Sequence, residues 1–221
     1  MIAVTSFFGS LLILFLLSRM LQREVSSLLF RLFHSEKVVI YSMAFLFLPG
    51  TIIHELAHYI MANLLFVRTG EIEFMPKMQG DNIKLGSVSI VKPDPFRYFL
   101  IGIAPFLSGI ALILITLYYG VRHDVFSNTW LVIALGYLVF QIGNSMFSSK
   151  KDMEGAFELF VVALIIAIVA YVSGFRPNLQ DVEAFISPQT ATFFSQGTMF
   201  VLVPIGIDIV LLILAKLFNR R

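Results

Sequence analysis

Two of the chain's 4 histidines flank a glutamate in the stretch Thr51-Ile52-Ile53-His54-Glu55-Leu56-Ala57-His58. On a helix, positions i and i+4 share one face, so His54 and His58 can turn both imidazoles toward a single ion. Glu55 stands one step round the helix, where its carboxylate reaches a water on that ion. Zinc lowers the pKa of such a water to roughly 7, so a nucleophile becomes available at neutral pH. Glu55 would then be the catalytic general base, taking a proton during attack on a carbonyl and returning it to the leaving amine. The plainer alternative is a pair of core histidines hydrogen-bonded to neighbouring helices. The flanking Leu, Ile and Phe side chains offer no partners for that.

The rest of the composition says where this motif sits. Of 221 residues, 58% are hydrophobic and 14% charged, and 23 are Phe, whereas an average soluble domain carries about 25% charge. With a mean hydropathy of +0.87, the chain is expected to be an integral membrane protein, where an ionisable group inside a span marks function by default. A net charge of +2 without a basic, aromatic-interleaved stripe argues against nucleic acid as a partner. There are no cysteines, so any metal must be held by His and carboxylates.

Six apolar runs predict transmembrane helices: Ile2–Leu17, Val38–Phe66, Phe96–Tyr119, Thr129–Phe147, Ala156–Phe175 and Ala191–Ala215. The first reads as an uncleaved span, having neither a basic leader nor a small-residue cleavage site. Arg19–Lys37 is amphipathic and predicts a helix lying in the interface, or else a solvated linker. Between the second and third runs the period drops to two, in Glu71–Met75 and Ile83–Val91, around Gly80-Asp81-Asn82. That pattern predicts a β-hairpin within 68–95, ended by Pro93 and Pro95. The expected fold is thus an all-α polytopic membrane protein of about six transmembrane helices with a short hairpin between the second and third. Ten basic residues, among them Arg68, Lys77, Lys84, Lys150 and Lys151, fall on the side of the termini, against six on the other. The imbalance predicts both termini in the cytosol of a multi-pass protein, most naturally in the cell membrane.

The chain resembles the site-2 protease family of intramembrane zinc metalloproteases over roughly 38–175. That family carries His-Glu-x-x-His in a membrane helix, a short β region after it, and a third zinc ligand on a later helix. Its later motif has an Asn, a Pro three residues on and an Asp-Gly eight on. Here Asn144-Ser145-Met146-Phe147-Ser148-Ser149-Lys150-Lys151-Asp152 keeps the spacing of Asn to Asp, with Phe147 in place of the Pro and Met153 in place of the Gly. The family's Gly-Pro-x-x-Asn appears in degenerate form as Ala104-Pro105-Phe106-Leu107-Ser108.

The resemblance implies a zinc metalloendopeptidase binding one Zn2+ per chain and cutting a peptide bond in or near a transmembrane segment of a membrane-protein substrate. The organisation would then be a first span and interfacial helix at 1–37, a metalloprotease core at 38–175, and a loop and last span at 176–221. Catalytic zinc takes three protein ligands and leaves a fourth position open. His34 precedes the core spans and His123 falls on the opposite side, so the third ligand is sought among carboxylates. Asp152 matches the family's position, with Glu154 as substitute, although Asp152 is also well placed to cap the fifth helix. By the same resemblance Asn144 bonds the substrate backbone; a structural amide between helices is the alternative. Asp208, inside the last run beside Pro204, is expected to make an interhelical hydrogen bond. The Ile83–Val91 strand either pairs with an extended substrate or caps the cavity. The rival function is a non-proteolytic metal-binding membrane protein, a transporter or a binding partner, using the same ligands.

Overall fold

The computed structural model describes residues 2–74, 77–79, 82–84, 87–91, 93–123, 125–147, 152, 154–174 and 188–219. Gly80 and Asp81, expected to form the hairpin turn, and residues 176–187, expected to form a loop, lie outside these. In chain order the helices are α1 (Ile2–Phe33), α2 (Glu36–Leu46), α3 (Leu48–Leu64), α4 (Pro95–Arg122), α5 (Thr129–Ser145), α6 (Glu154–Val172) and α7 (Pro188–Asn219). Between α3 and α4 stand four strands, β1 (Thr69–Glu73), β2 (Lys77–Gln79), β3 (Asn82–Lys84) and β4 (Ser87–Ile90).

The protein is mostly helical and membrane-embedded. Three helices, α1, α4 and α7, are long and apolar enough to cross a bilayer, and α2 with α3 makes a fourth crossing if the bent pair counts as one. Their outward faces remain apolar, with Leu12, Leu16, Ile115, Leu202 and Leu214 exposed. In water that surface would be a liability; against lipid tails it is the expected exterior.

Residues 19–33 do not form a separate interfacial helix. No Gly or Pro interrupts the chain there, and α1 runs unbroken for 32 residues. At 1.5 Å per residue that is about 48 Å, longer than the roughly 30 Å hydrocarbon layer. The partner that makes this length worthwhile is α7, also 32 residues. The two pack along their course, and the far end is fastened by polar contacts: Asn219 Nδ2 donates to the Glu24 carboxylate at 2.9 Å and Arg31 to the Asn219 carbonyl.

The main core lies where α1, α4, α5 and α7 meet, around Phe7, Leu14, Ile113, Val139, Ile142 and Ile205. A smaller cluster of Ala62, Val67 and Ile101, joined by Ile90, seats the strands where α3 ends and α4 begins. Helix α3 closes with the Val67 N–H donating to the Ala62 carbonyl and Phe66 in the left-handed region at φ 56°, a reversal that sends the chain straight into β1. β1 pairs antiparallel with β4, and β2 with β3. Pro95 then opens α4 behind Asp94, whose carboxylate accepts from the Arg97 N–H.

Instead of one straight helix, Val38–Phe66 forms two, α2 and α3, bent by 68°. Pro49 lacks the N–H that would continue the helix and its ring crowds the preceding turn. Gly50 would next donate to the Leu46 carbonyl, and that bond is replaced rather than lost. The buried Gln141 of α5 inserts its amide: Oε1 accepts from the Gly50 N–H at 3.2 Å and Nε2 donates to the Leu46 carbonyl at 2.8 Å. Only glycine permits this approach, since a Cβ at position 50 would lie 2.7 Å from the Gln141 carbonyl. Replacing Gln141 with Leu strands a donor and an acceptor, each costing about 1–3 kcal/mol. The Gln141→Leu protein should therefore melt at a clearly lower temperature in detergent, and an unchanged midpoint would show that the break does not rest on this amide.

Candidate metal centre

His54 lies two turns into α3 and His58 one turn further, so helical periodicity alone stacks their rings, with centroids 4.8 Å apart. Their orientation comes from outside α3. His54 Nδ1 is 2.6 Å from the Ser145 carbonyl, and His58 Nδ1 is 2.8 Å from the Ile101 carbonyl. A carbonyl only accepts, so each Nδ1 carries a proton, and a neutral ring held this way keeps its lone pair on Nε2. These two Nε2 atoms face each other at 3.2 Å.

Asp152 completes the group. It stands in the turn before α6, with Oδ2 3.7 Å from His54 Nε2 and Oδ1 3.5 Å from His58 Nε2. Two imine nitrogens and a carboxylate thus converge, all electron-pair donors, and a cation is what such a set stabilises. A tetrahedral zinc with bonds of about 2.0–2.1 Å separates its ligand atoms by roughly 3.3–3.4 Å, close to the spacings seen. Nδ1–H bonds to carbonyls are also the usual outer support of metal-ligating histidines. The donor set therefore fits a zinc ion. Among the described residues this is the one His/carboxylate group with ligand atoms within 4.8 Å of one another.

Glu55 is buried beside this group, its carboxylate in electrostatic reach of His58. His58 is almost covered, at 7% side-chain exposure, while His54 and Asp152 keep 14% and 19%. The centre thus has one partly open side, as a site that admits water must.

Asp152 is 94 residues from His58 in the chain, and its approach depends on a missing side chain in α4. A Cβ at Gly102 would overlap the Asp152 carbonyl oxygen. Gly102 follows Ile101, so one stretch of α4 both holds His58 and makes room for Asp152.

Asn144 is placed differently from these three residues. Its Nδ2 donates to Asp208 Oδ1 at 2.8 Å and to the Phe140 carbonyl at 3.1 Å. Asp208 is fully buried in α7, so this is an interhelical hydrogen bond between α5 and α7, one turn beyond Pro204. The backbone of Glu154 begins α6; its side chain lies outside the described residues. His34 ends α1 and His123 caps α4, both exposed and away from the centre. Gly102, Gln141 and the two acceptor carbonyls were not singled out by sequence. Pro105 was, but only as part of a degenerate motif. Compared with family models, with curated proteins and with solved structures, the chain matches none.

Three substitutions test the arrangement. Asp152→Ala removes a ligand and should yield a membrane-inserted protein depleted of zinc, whereas Glu154→Ala should keep its zinc. Gly102→Ala changes none of the three donor residues but displaces Asp152, and should weaken zinc binding about tenfold or more. Metal content and affinity of the purified variants decide it; full zinc in Asp152→Ala would put the third ligand elsewhere.

Proposed function

We propose that the chain is an intramembrane zinc metalloendopeptidase of the site-2 protease kind, hydrolysing a peptide bond in or next to a transmembrane segment of a membrane-protein substrate. The observation that carries this reading is the convergence of His54 Nε2, His58 Nε2 and the Asp152 carboxylate at 3.2–3.7 Å, within helices whose outer surface suits lipid. His54, His58 and Asp152 would hold one Zn2+. When bound, the ion supplies a Lewis acid and makes a nucleophile available at neutral pH.

The chain's own groups do the rest. The Ser145 and Ile101 carbonyls keep both Nδ1 protons in place, so each Nε2 stays a ligand. Glu55 takes a proton from the water that attacks the substrate carbonyl and hands it to the leaving amide nitrogen. A site that merely stores or carries metal has no use for that base, and this favours the hydrolase over the metal-binding alternative. A helical substrate must be locally extended before its carbonyl is exposed, and the strands seated beside α3 and α4 offer an edge to an extended segment.

In the same reading the chain crosses the bilayer six times, with α2 and α3 as one crossing and α5 and α6 as two more, and both termini lie in the cytosol. Helix α5, at 17 residues, rises about 26 Å and sits at the short end of what spans.

Glu55→Gln separates base from ligand. The variant should retain about one zinc per chain in detergent and fail to cut a membrane-anchored reporter that the wild type cuts. Zinc lost together with activity would make Glu55 a ligand instead, and a zinc-loaded wild type that cuts no reporter would favour the metal-binding alternative. For topology, reporters fused after Arg221 and inserted between β2 and β3 should both report cytosol; opposite sides would mean an odd number of crossings between them.

A further inference from the structure

The Ile101 carbonyl that holds His58 lies inside a continuous helix, where a carbonyl is ordinarily consumed by the N–H four residues on. That residue is Pro105, the proline inside α4. Proline has no N–H, and its ring pushes the carbonyl of residue i−4 off the helix axis. The Ile101 oxygen is thereby left without a helical donor and tilted outward, and His58 Nδ1 occupies it at 2.8 Å. Pro105 is itself fully buried, and Ile101 is 2% exposed, so no water stands ready to replace the imidazole at that oxygen.

We propose that Pro105 is a positioning residue for the metal centre, freeing the Ile101 carbonyl so that it accepts the His58 Nδ1 proton and turns the His58 Nε2 lone pair toward His54 and Asp152. This rests on the metal-centre reading above, but the link from Pro105 to His58 is a property of the metal-free protein too. An alanine at 105 restores the N–H and relaxes the ring clash. The Ile101 carbonyl then closes the helical turn, and His58 loses its directed acceptor. The free imidazole gains access to the other tautomer, with the proton on Nε2, which has no lone pair on the atom that faces the centre.

The test compares three full-length proteins in detergent: wild type, Pro105→Ala, and a variant with lactic acid at position 105. The last has an ester oxygen in place of the N–H and carries no ring. Zinc affinity is measured by competition with a chelator, and the His58 tautomer by ring nitrogen NMR of the metal-free protein. Pro105→Ala should bind zinc 10–100-fold more weakly, the usual range for loss of a partner supporting a metal ligand. Its His58 should shift from the Nδ1–H form toward a mixture. The ester variant, which like proline has no donor at 105, should stay near wild type in both readouts.

Wild-type affinity and an unchanged tautomer in Pro105→Ala would overturn the proposal and leave Pro105 as a packing residue. Equal loss in the ester variant would overturn it as well, because the ring rather than the missing donor would then matter. A wild type that binds no zinc yet keeps a pure Nδ1–H His58, lost in Pro105→Ala and kept in the ester, would refute the metalloprotease reading and leave the Pro105 link standing.

Discussion

The two hydrogen bonds from His54 to the Ser145 carbonyl and from His58 to the Ile101 carbonyl constrain everything around them. In a hydrocarbon environment backbone carbonyls are spent within helices, because an unsatisfied one costs several kcal/mol. A side chain that needs a carbonyl must therefore find one that its helix has released. Helices release carbonyls at their C-terminal end and opposite an internal proline, and this chain uses both. Ser145 is the last residue of α5, and Ile101 lies four residues before Pro105. The neighbouring end carbonyl, that of Asn144, accepts from Gln22 of α1 at 3.2 Å. Thus the α5 terminus, which would be intolerable bare, is capped by α1 on one side and by a proposed metal ligand on the other.

The same economy explains the bend ahead of the histidines. A straight helix through Val38–Phe66 would hold His54 and His58 on the axis of a long span. Breaking it at Pro49 lets α3 take its own direction, and the break stays satisfied because Gln141 stands in for the missing helical bond. Gln141 lies one turn before Ser145 on α5, which receives His54. One face of α5 therefore mends the break and orients the first histidine, so the angle of α3 and the pose of His54 are set together.

How much of this was legible in advance follows from the range of each interaction. His54, Glu55 and His58 are a local pattern, and helical periodicity was enough to stack the rings. Asp152 needed the resemblance to pick it out of several carboxylates, since no local rule joins residues that only folding brings together. Apolar runs marked the helices well and their breaks poorly. Nothing in the hydropathy of residues 1–37 distinguishes a short span plus an interfacial helix from one long helix, and pairing with α7 decides it. Gln141, Gly102 and the released carbonyls escaped notice because their roles are relations between helices. Pro105 has a consequence legible in the sequence: an internal proline frees the carbonyl four residues earlier, and in an apolar protein that carbonyl must go somewhere.

The three proposed ligands are not held alike. His54 and His58 share one helix, and each is fixed at both ends, by its backbone and by an Nδ1 bond. Asp152 comes from the turn between α5 and α6 and reaches the centre because Gly102 lets its backbone lie directly on α4. Asp152 is also the most exposed of the three, at 19%. A site built this way keeps its two imidazoles at fixed separation and takes the third donor from a distant stretch of chain, on its more open side. In the proposed reading that side is where water reaches the ion, since a catalytic zinc keeps one position open whereas a structural site is closed. The partly open side at Asp152 and the proposed base at the buried Glu55 therefore point the same way.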